Sequence, residues 1–379
     1  TIPGAGVNVI FDSPTTTVIE NNADGFRPAK MTFGPNSRVR TVSGKAITGV
    51  GTISNQSAYE VVMAAEVAFE GPVNLEAVTM NVDFQGGVTG TICANLTPLA
   101  RIHKGVYNLT ASVWEAMTGN DVVPTGSTFN FPGELQSGSG SITGSFIVED
   151  GATATIGTIR GDTSSYGYKW YSLGSGVLNI TNRAYTYGYA TVFGSDDCTG
   201  TINYQAIYSS SDGTSQFRGR RLNLGAGGIT YGAHYSNGGT APIDAYGALT
   251  LGAFADWTMA LGSNPANLRF YAQNGAVVTF DTLDSVDGET ARTITINSHV
   301  NSANPSTAKY VQVGPGTVVF TYINTDNYAP YEIREGTLRF SGNGFATTGL
   351  VTVGPAARLE LVGTRSIPTP IALKGTLAL

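Results

Sequence analysis

Leu338-Arg339-Phe340, Leu359-Glu360-Leu361 and Leu377-Ala378-Leu379 are three copies of one small pattern, an apolar pair flanking a middle residue. In an extended chain successive side chains point to opposite faces, so the outer pair shares one face and the middle residue takes the other. The same unit occurs upstream as Leu178-Asn179-Ile180, Ile202-Asn203-Tyr204, Leu222-Asn223-Leu224, Leu249-Thr250-Leu251, Leu268-Arg269-Phe270, Ile294-Thr295-Ile296 and Val318-Val319-Phe320. First members are 18 to 27 residues apart, with a mean of about 22. One coil of that length cannot bury its own apolar face. Coils stacked on one another bury a continuous column of Leu, Ile, Val and Phe, with their strands paired in parallel.

The pattern predicts an all-β chain folded as a right-handed parallel β-helix, or β-solenoid. At one coil per 22 residues, roughly 17 coils would make a rod of about 80 Å. Residues 151–379 follow the pattern closely. Residues 1–150 are less regular and read as a β-solenoid or a β-sandwich-like part. Handedness follows from the general right-handedness of parallel crossovers.

Composition agrees with a large β-rich unit. The 379 residues include 49 glycines, and only 13 % are charged, against about 25 % in a typical soluble protein. Glycine supplies corners where φ is positive. A net charge of −6 lacks the basic footprint of a nucleic-acid binder, so no nucleic-acid partner is expected. Apolar runs such as Val61-Val62-Met63-Ala64-Ala65 are far too short for a membrane helix, so no transmembrane segment is expected either. A basic start followed by an apolar core is not seen, so the chain reads as mature or never exported. Cys93 and Cys198 lie 105 residues apart, about five coils, beyond the reach of a disulfide.

A family resemblance rests on the C-terminal residues. Gly314-Pro315-Gly316-Thr317-Val318-Val319-Phe320 is followed by Asn324-Thr325-Asp326-Asn327-Tyr328, then by Glu335-Gly336-Thr337-Leu338-Arg339-Phe340. Val351-Thr352-Val353-Gly354, Ala357-Arg358-Leu359-Glu360-Leu361 and Gly375-Thr376-Leu377-Ala378-Leu379 complete the order. Residues 309–379 resemble the autotransporter-associated β-strand repeat, departing from it at 321–332. A weaker similarity runs from Met31-Thr32-Phe33-Gly34 to Val82-Asp83-Phe84-Gln85-Gly86-Gly87-Val88. The resemblance implies a right-handed β-helix, export to the bacterial cell surface, and a structural or adhesive passenger. It transfers no catalytic residue. The membrane barrel of such proteins has no counterpart in these residues, so self-translocation is not expected.

Motifs that carry chemistry are few. His103, His234 and His299 are far apart, and no metal, nucleophile or phosphate motif is present. Polysaccharide lyases and hydrolases on β-helices need clustered carboxylates, and Asp196-Asp197 and Asp281, Asp284, Asp287 with Glu289 are the candidates. The second group lacks the ligand geometry of a calcium loop. No cofactor is expected, with calcium there as the remaining alternative. Arg218, Arg220 and Arg221 read as a glycan contact or as a solvated or internally paired strand end.

Aromatic residues are the most unusual local feature. Eight of 18 tyrosines, with Trp170, fall between residues 166 and 208. Tyr185, Tyr187 and Tyr189 alternate and share a face, as do Tyr166 and Tyr168. An exposed row of rings serves sugar stacking or a subunit interface, whereas a packed row stabilises the sheet. These six residues are the candidate ligand or interface site. The expected function is a non-enzymatic extracellular rod, a filament subunit or adhesin, associating head-to-tail through its ends. A polysaccharide-binding or polysaccharide-cleaving β-helix and a viral tail fibre are the alternatives.

Overall fold

A computed structural model describes residues 6–74, 82–93, 102–109, 115–117, 120–137, 145–161, 169–187, 192–210, 215–231, 243–260, 269–302, 306–321, 328–341, 349–363 and 370–379. Among these residues the only regular secondary structure is β-strand. The strands stack in parallel into a β-solenoid.

One wall can be followed through an unbroken ladder. It begins with Ile47–Val50 on Val67–Asn74, continues through Val88–Cys93 and Gly105–Leu109 to Thr128–Ser137, and runs on through Thr153–Gly161 and Val177–Tyr187. It then climbs through Thr201–Ser210, Arg221–Tyr231, Ala248–Ala253, Val277–Asp284 and Lys309–Val313. Tyr331–Ser341, Val351–Val362 and Ile371–Leu373 complete it. These fourteen pairings join fifteen strands, and at about 4.8 Å per step the ladder is about 67 Å long. It passes residue 150 without a break, since Phe129 pairs with Ala154 and Ala154 with Leu178.

Between residues 120 and 302 each coil has three walls. The long strands bend after the first wall and continue into a second, as where Phe131 and Glu134 flank a register shift at Pro132-Gly133. A third wall runs from Asn120–Val123 through Ser145–Val148, Lys169–Ser172, Val192–Gly194, Ser215–Arg218, Ile243–Ala245 and Arg269–Ala272 to His299–Ser302. Near the N-terminus two smaller parallel sheets accompany the first wall, Val7–Phe11 with Pro28–Phe33 and Thr52–Asn55, and Val18–Asn21 with Thr41–Gly44, Val61–Met63 and Val82–Asp83.

The apolar triads behave as their alternation requires, although not as one series. Leu178, Ile202, Leu222 and Leu249 start triads on the first wall. Phe270 is on the third, with Leu268 outside the described residues. Ile294, Val318, Leu338, Leu359 and Leu377 stand in register on the second. The even spacing read from the sequence therefore crosses from wall to wall. True coil lengths vary more. Val318 lies 20 residues before its partner Leu338, while Trp257 lies 37 before its partner Ile294.

All three walls turn their apolar residues into one core. Leu178, Ile202, Leu249, Ile294, Val318 and Leu359 are fully buried. Aromatic rings continue the column upward: Tyr310 stacks on Tyr331 at 5.1 Å and Phe320 on Phe340 at 5.5 Å. The middle residues face out and pair along the wall, so that Arg339 donates to Glu360 at 2.6 Å in register. Corners depend on glycine where the chain turns sharply. Gly314 and Gly336 have φ of 81° and 71°, in the left-handed region that side chains avoid.

Cys198 is a free, buried thiol. Tyr204 is fully buried, and its hydroxyl has no partner among the described residues. Burial holds that phenol neutral by pushing its pKa far up.

Leu359→Ala should lower stability by about 2–5 kcal/mol in denaturant unfolding. Leu377→Ala should cost less, because Leu377 is already 36 % exposed in the last layer. Tyr204→Phe should leave stability unchanged or raise it by about 1 kcal/mol, since it removes an unpaired buried hydroxyl. Equal losses at Leu359 and Leu377, or a large loss for Tyr204→Phe, would contradict this packing.

Candidate functional site

Among the predicted aromatic residues, the structure places two and a half-placed third. Trp170 points inward from the third wall at 2 % exposure, in register with Phe146. Tyr185 faces outward from the second wall, in register between Arg160 and Tyr208, yet is only 6 % exposed. The Arg183 guanidinium lies 4.7 Å from its ring centre and that of Arg160 5.6 Å. Its hydroxyl donates to Glu134 Oε2 at 2.8 Å, reaching across two coils. Tyr187 belongs to the same strand by its backbone, while its side chain and all of Tyr166, Tyr168 and Tyr189 lie outside the described residues. Neither Trp170 nor Tyr185 offers an open ring. The alternation located the face of Tyr185 correctly but could not show that two arginines cover it.

Most of the acidic and basic candidates are engaged within the fold. Asp281 Oδ2 takes the Arg221 guanidinium at 2.9 Å. Asp284 accepts from the Val286 and Asp287 backbone amides at 2.7 and 3.1 Å and from Arg292 Nε at 2.7 Å. Asp287 binds Thr290 and the Glu289 amide, and these hydrogen bonds hold its carboxyl near 2. Asp196 pairs with Arg218, which also covers the Tyr246 ring at 4.1 Å. These carboxylates brace loops. Among the described residues no three His, Cys, Asp or Glu side chains form a group able to hold a metal ion.

A different site stands on the outer face of the first wall, where three successive triads carry asparagine in the middle. Register stacks Asn179, Asn203 and Asn223 on one another. Arg221 Nε donates to Asn223 Oδ1 at 2.8 Å, Asn223 Nδ2 to Asn203 Oδ1 at 2.8 Å, and Asn203 Nδ2 to Asn179 Oδ1 at 2.8 Å. A guanidinium can only donate, so it fixes Asn223 with oxygen towards it and every later amide in the same sense. Bonds aligned head to tail polarise one another.

This relay is buried at Asn223, which is 2 % exposed, and surfaces at Asn203 and Asn179. There it forms the floor of a cleft of about 230 Å³ with Thr181 and Gln205. Phe254 and Val286 are the apolar walls. Both come from places where the bend between first and second walls opens into a loop. Trp257 Nε1 donates to Gly252 O at 3.2 Å across the first loop. Asp284 and the Ser285 amide, which donates to Ala253 O at 2.7 Å, fasten the second. Gly225 makes room for the ring: a Cβ there would meet Phe254 Cε2 at 2.6 Å and Gln205 Oε1 at 2.7 Å.

A larger cavity, about 440 Å³, opens in the N-terminal layer between Phe11, Ile19, Phe26, Val42 and Ile47. Val42 and Ile47 belong to the core, and Glu20, Asn21, Asn22 and Ala23 make the rest of its rim polar or small.

Comparison with known proteins gives no match to a family model, a curated protein or a solved structure.

Burial, then the bond to Glu134, raises the Tyr185 phenol to about 12 from an ordinary 10. The fold therefore favours its neutral form. That contribution is complete below pH 10 and disappears as pH climbs from 10 through 12. Ultraviolet titration of the native protein against Tyr185→Phe should show a late-ionising tyrosine missing from the variant. An ordinary midpoint for the missing group would contradict the covered ring.

Proposed function

We propose that the chain is a rigid, non-enzymatic rod of a bacterial cell-surface or extracellular structure, a filament subunit or adhesin of the passenger type that residues 309–379 resemble. The unbroken fifteen-strand ladder carries this reading. Such a stack ties every coil to its neighbours through backbone hydrogen bonds and a shared core, and it resists bending and proteolysis. Its outer charges reinforce it. Glu332 is held by Arg334 and Lys309, and Glu360 by Arg339 and Arg358. These pairs join neighbouring coils and neighbouring positions on one strand.

The end layers present apolar side chains, Ile10 and Val18 at one end and Leu373 and Leu377 at the other. In this reading further β-structure stacks there, supplied by more of the same polypeptide or by a second copy. A polysaccharide-binding role is the second reading, and the cleft over Asn179 and Asn203 favours it.

Hydrogen bonds from Arg334 and then Lys309 draw the Glu332 carboxyl down to about 2. Its contribution is present above the ordinary value of 4.5 and is lost as pH falls from there towards 2. A Glu332→Gln variant should therefore be less stable than the native protein at neutral pH and converge with it in acid. Immunogold labelling of the producing organism should decorate surface or extracellular structures, and concentrated protein should assemble along the solenoid axis. Label confined to the cytoplasm would contradict the proposal. A fixed trimer in solution would favour a tail-fibre role instead.

A further inference from the structure

We infer that the cleft above the asparagine relay is a binding subsite for one uncharged pyranose ring of a glycan. This rests on the adhesive part of the proposed function and names its ligand class. Four features converge on it.

The floor is polar without being charged: Asn179, Asn203, Thr181 and Gln205 present amides and a hydroxyl. An amide offers two N–H donors and two acceptor positions, and the relay uses only one of each at Asn203. Asn179 accepts from Asn203 and keeps its own N–H groups for an incoming oxygen. The Gln205 amide has no partner among the described residues and adds a second donor–acceptor pair. Sugar hydroxyls donate and accept alike, so this mixed set suits them, whereas an anion would need a cation that the lining does not provide.

Direction is built in. Asp281 anchors Arg221, Arg221 orients Asn223, and the sense of donation passes outward to Asn179. The last amide stands at the cleft with its orientation already fixed by the line behind it, so the site is set before any ligand arrives.

The walls are apolar. Val286 is 79 % exposed, an unusual position for a valine held on a loop by a buried carboxylate. The Phe254 ring lines the same cleft and sits against Gly225. The C–H face of a pyranose packs against such a ring. At about 230 Å³ the cleft is smaller than the roughly 300–1,000 Å³ of sites for drug-sized ligands, and it suits one ring of a chain that continues along the wall.

Calorimetric titration of the full chain with cellotetraose, the N-acetylglucosamine tetramer and trigalacturonate tests this. Saturable binding is expected for at least one neutral oligosaccharide and weak or no binding for the galacturonate. Phe254→Ala and Asn179→Ala should each weaken binding at least tenfold, and Gly225→Ala, which displaces the ring, should weaken it too. Lys374→Ala, at the far end, should bind as the native chain does. Phe254 lies outside the interior column, so its variant keeps the fold, and circular dichroism checks both alanine variants. No saturable binding of either neutral probe, preference for the galacturonate, or undiminished binding by folded Phe254→Ala would overturn the inference. Failed titration beside intact surface filaments removes the cleft and leaves the rod standing.

Discussion

Everything in this molecule depends on one constraint: the apolar strip of a single coil has nowhere to go except against the strip of the next. Three short strands cannot enclose a core. Stacked at the spacing of paired strands, they share one, and the backbone groups of each wall find partners above and below. Val318, Leu338, Leu359 and Leu377 follow one another in register because each covers the one before it. Interior aromatics such as Tyr310 and Tyr331 stack for the same reason.

That constraint made the fold legible. Period-two alternation survives on every wall, so Ile202, Asn203 and Tyr204 could be assigned inside, outside and inside without knowledge of the partners. The number of walls was not legible, because all three use the same local grammar. The triads of Phe270, on the third wall, and Ile294, on a different wall, have the same sequence pattern, and a series that joins them measures no real coil. Loop length hid the period further. Residues 285–292, between the strands that end at Asp284 and begin at Thr293, stretch one coil without disturbing its strands.

The site was half-visible. Asparagine at the centre of three successive triads is written in the sequence, and stacking turns that repetition into a hydrogen-bonded line. What the sequence could not show is the anchoring Arg221–Asp281 pair or the arrival of Phe254 and Val286 from two loops. Tyr185 shows a related limit. Alternation gives a side, but exposure depends on neighbours in other coils, and for Tyr185 those neighbours are Arg160 and Glu134. A solenoid places its functional variation at the bends, where loops can grow while the ladder continues beneath.

Register is the most direct thing to measure. Thr258 and Thr295 lie 37 residues apart in sequence, face outward, and are direct partners on the second wall. Neighbouring parallel strands set their Cα atoms about 4.8 Å apart, within the roughly 4.4–6.8 Å range of a disulfide. A Thr258→Cys/Thr295→Cys double variant should form a disulfide on mild oxidation, read by non-reducing peptide mass mapping. A Thr258→Cys/Asn297→Cys control, offset by two residues, should form little. Efficient bonding in the control with none in the matched pair would contradict the stacked register and the solenoid built on it.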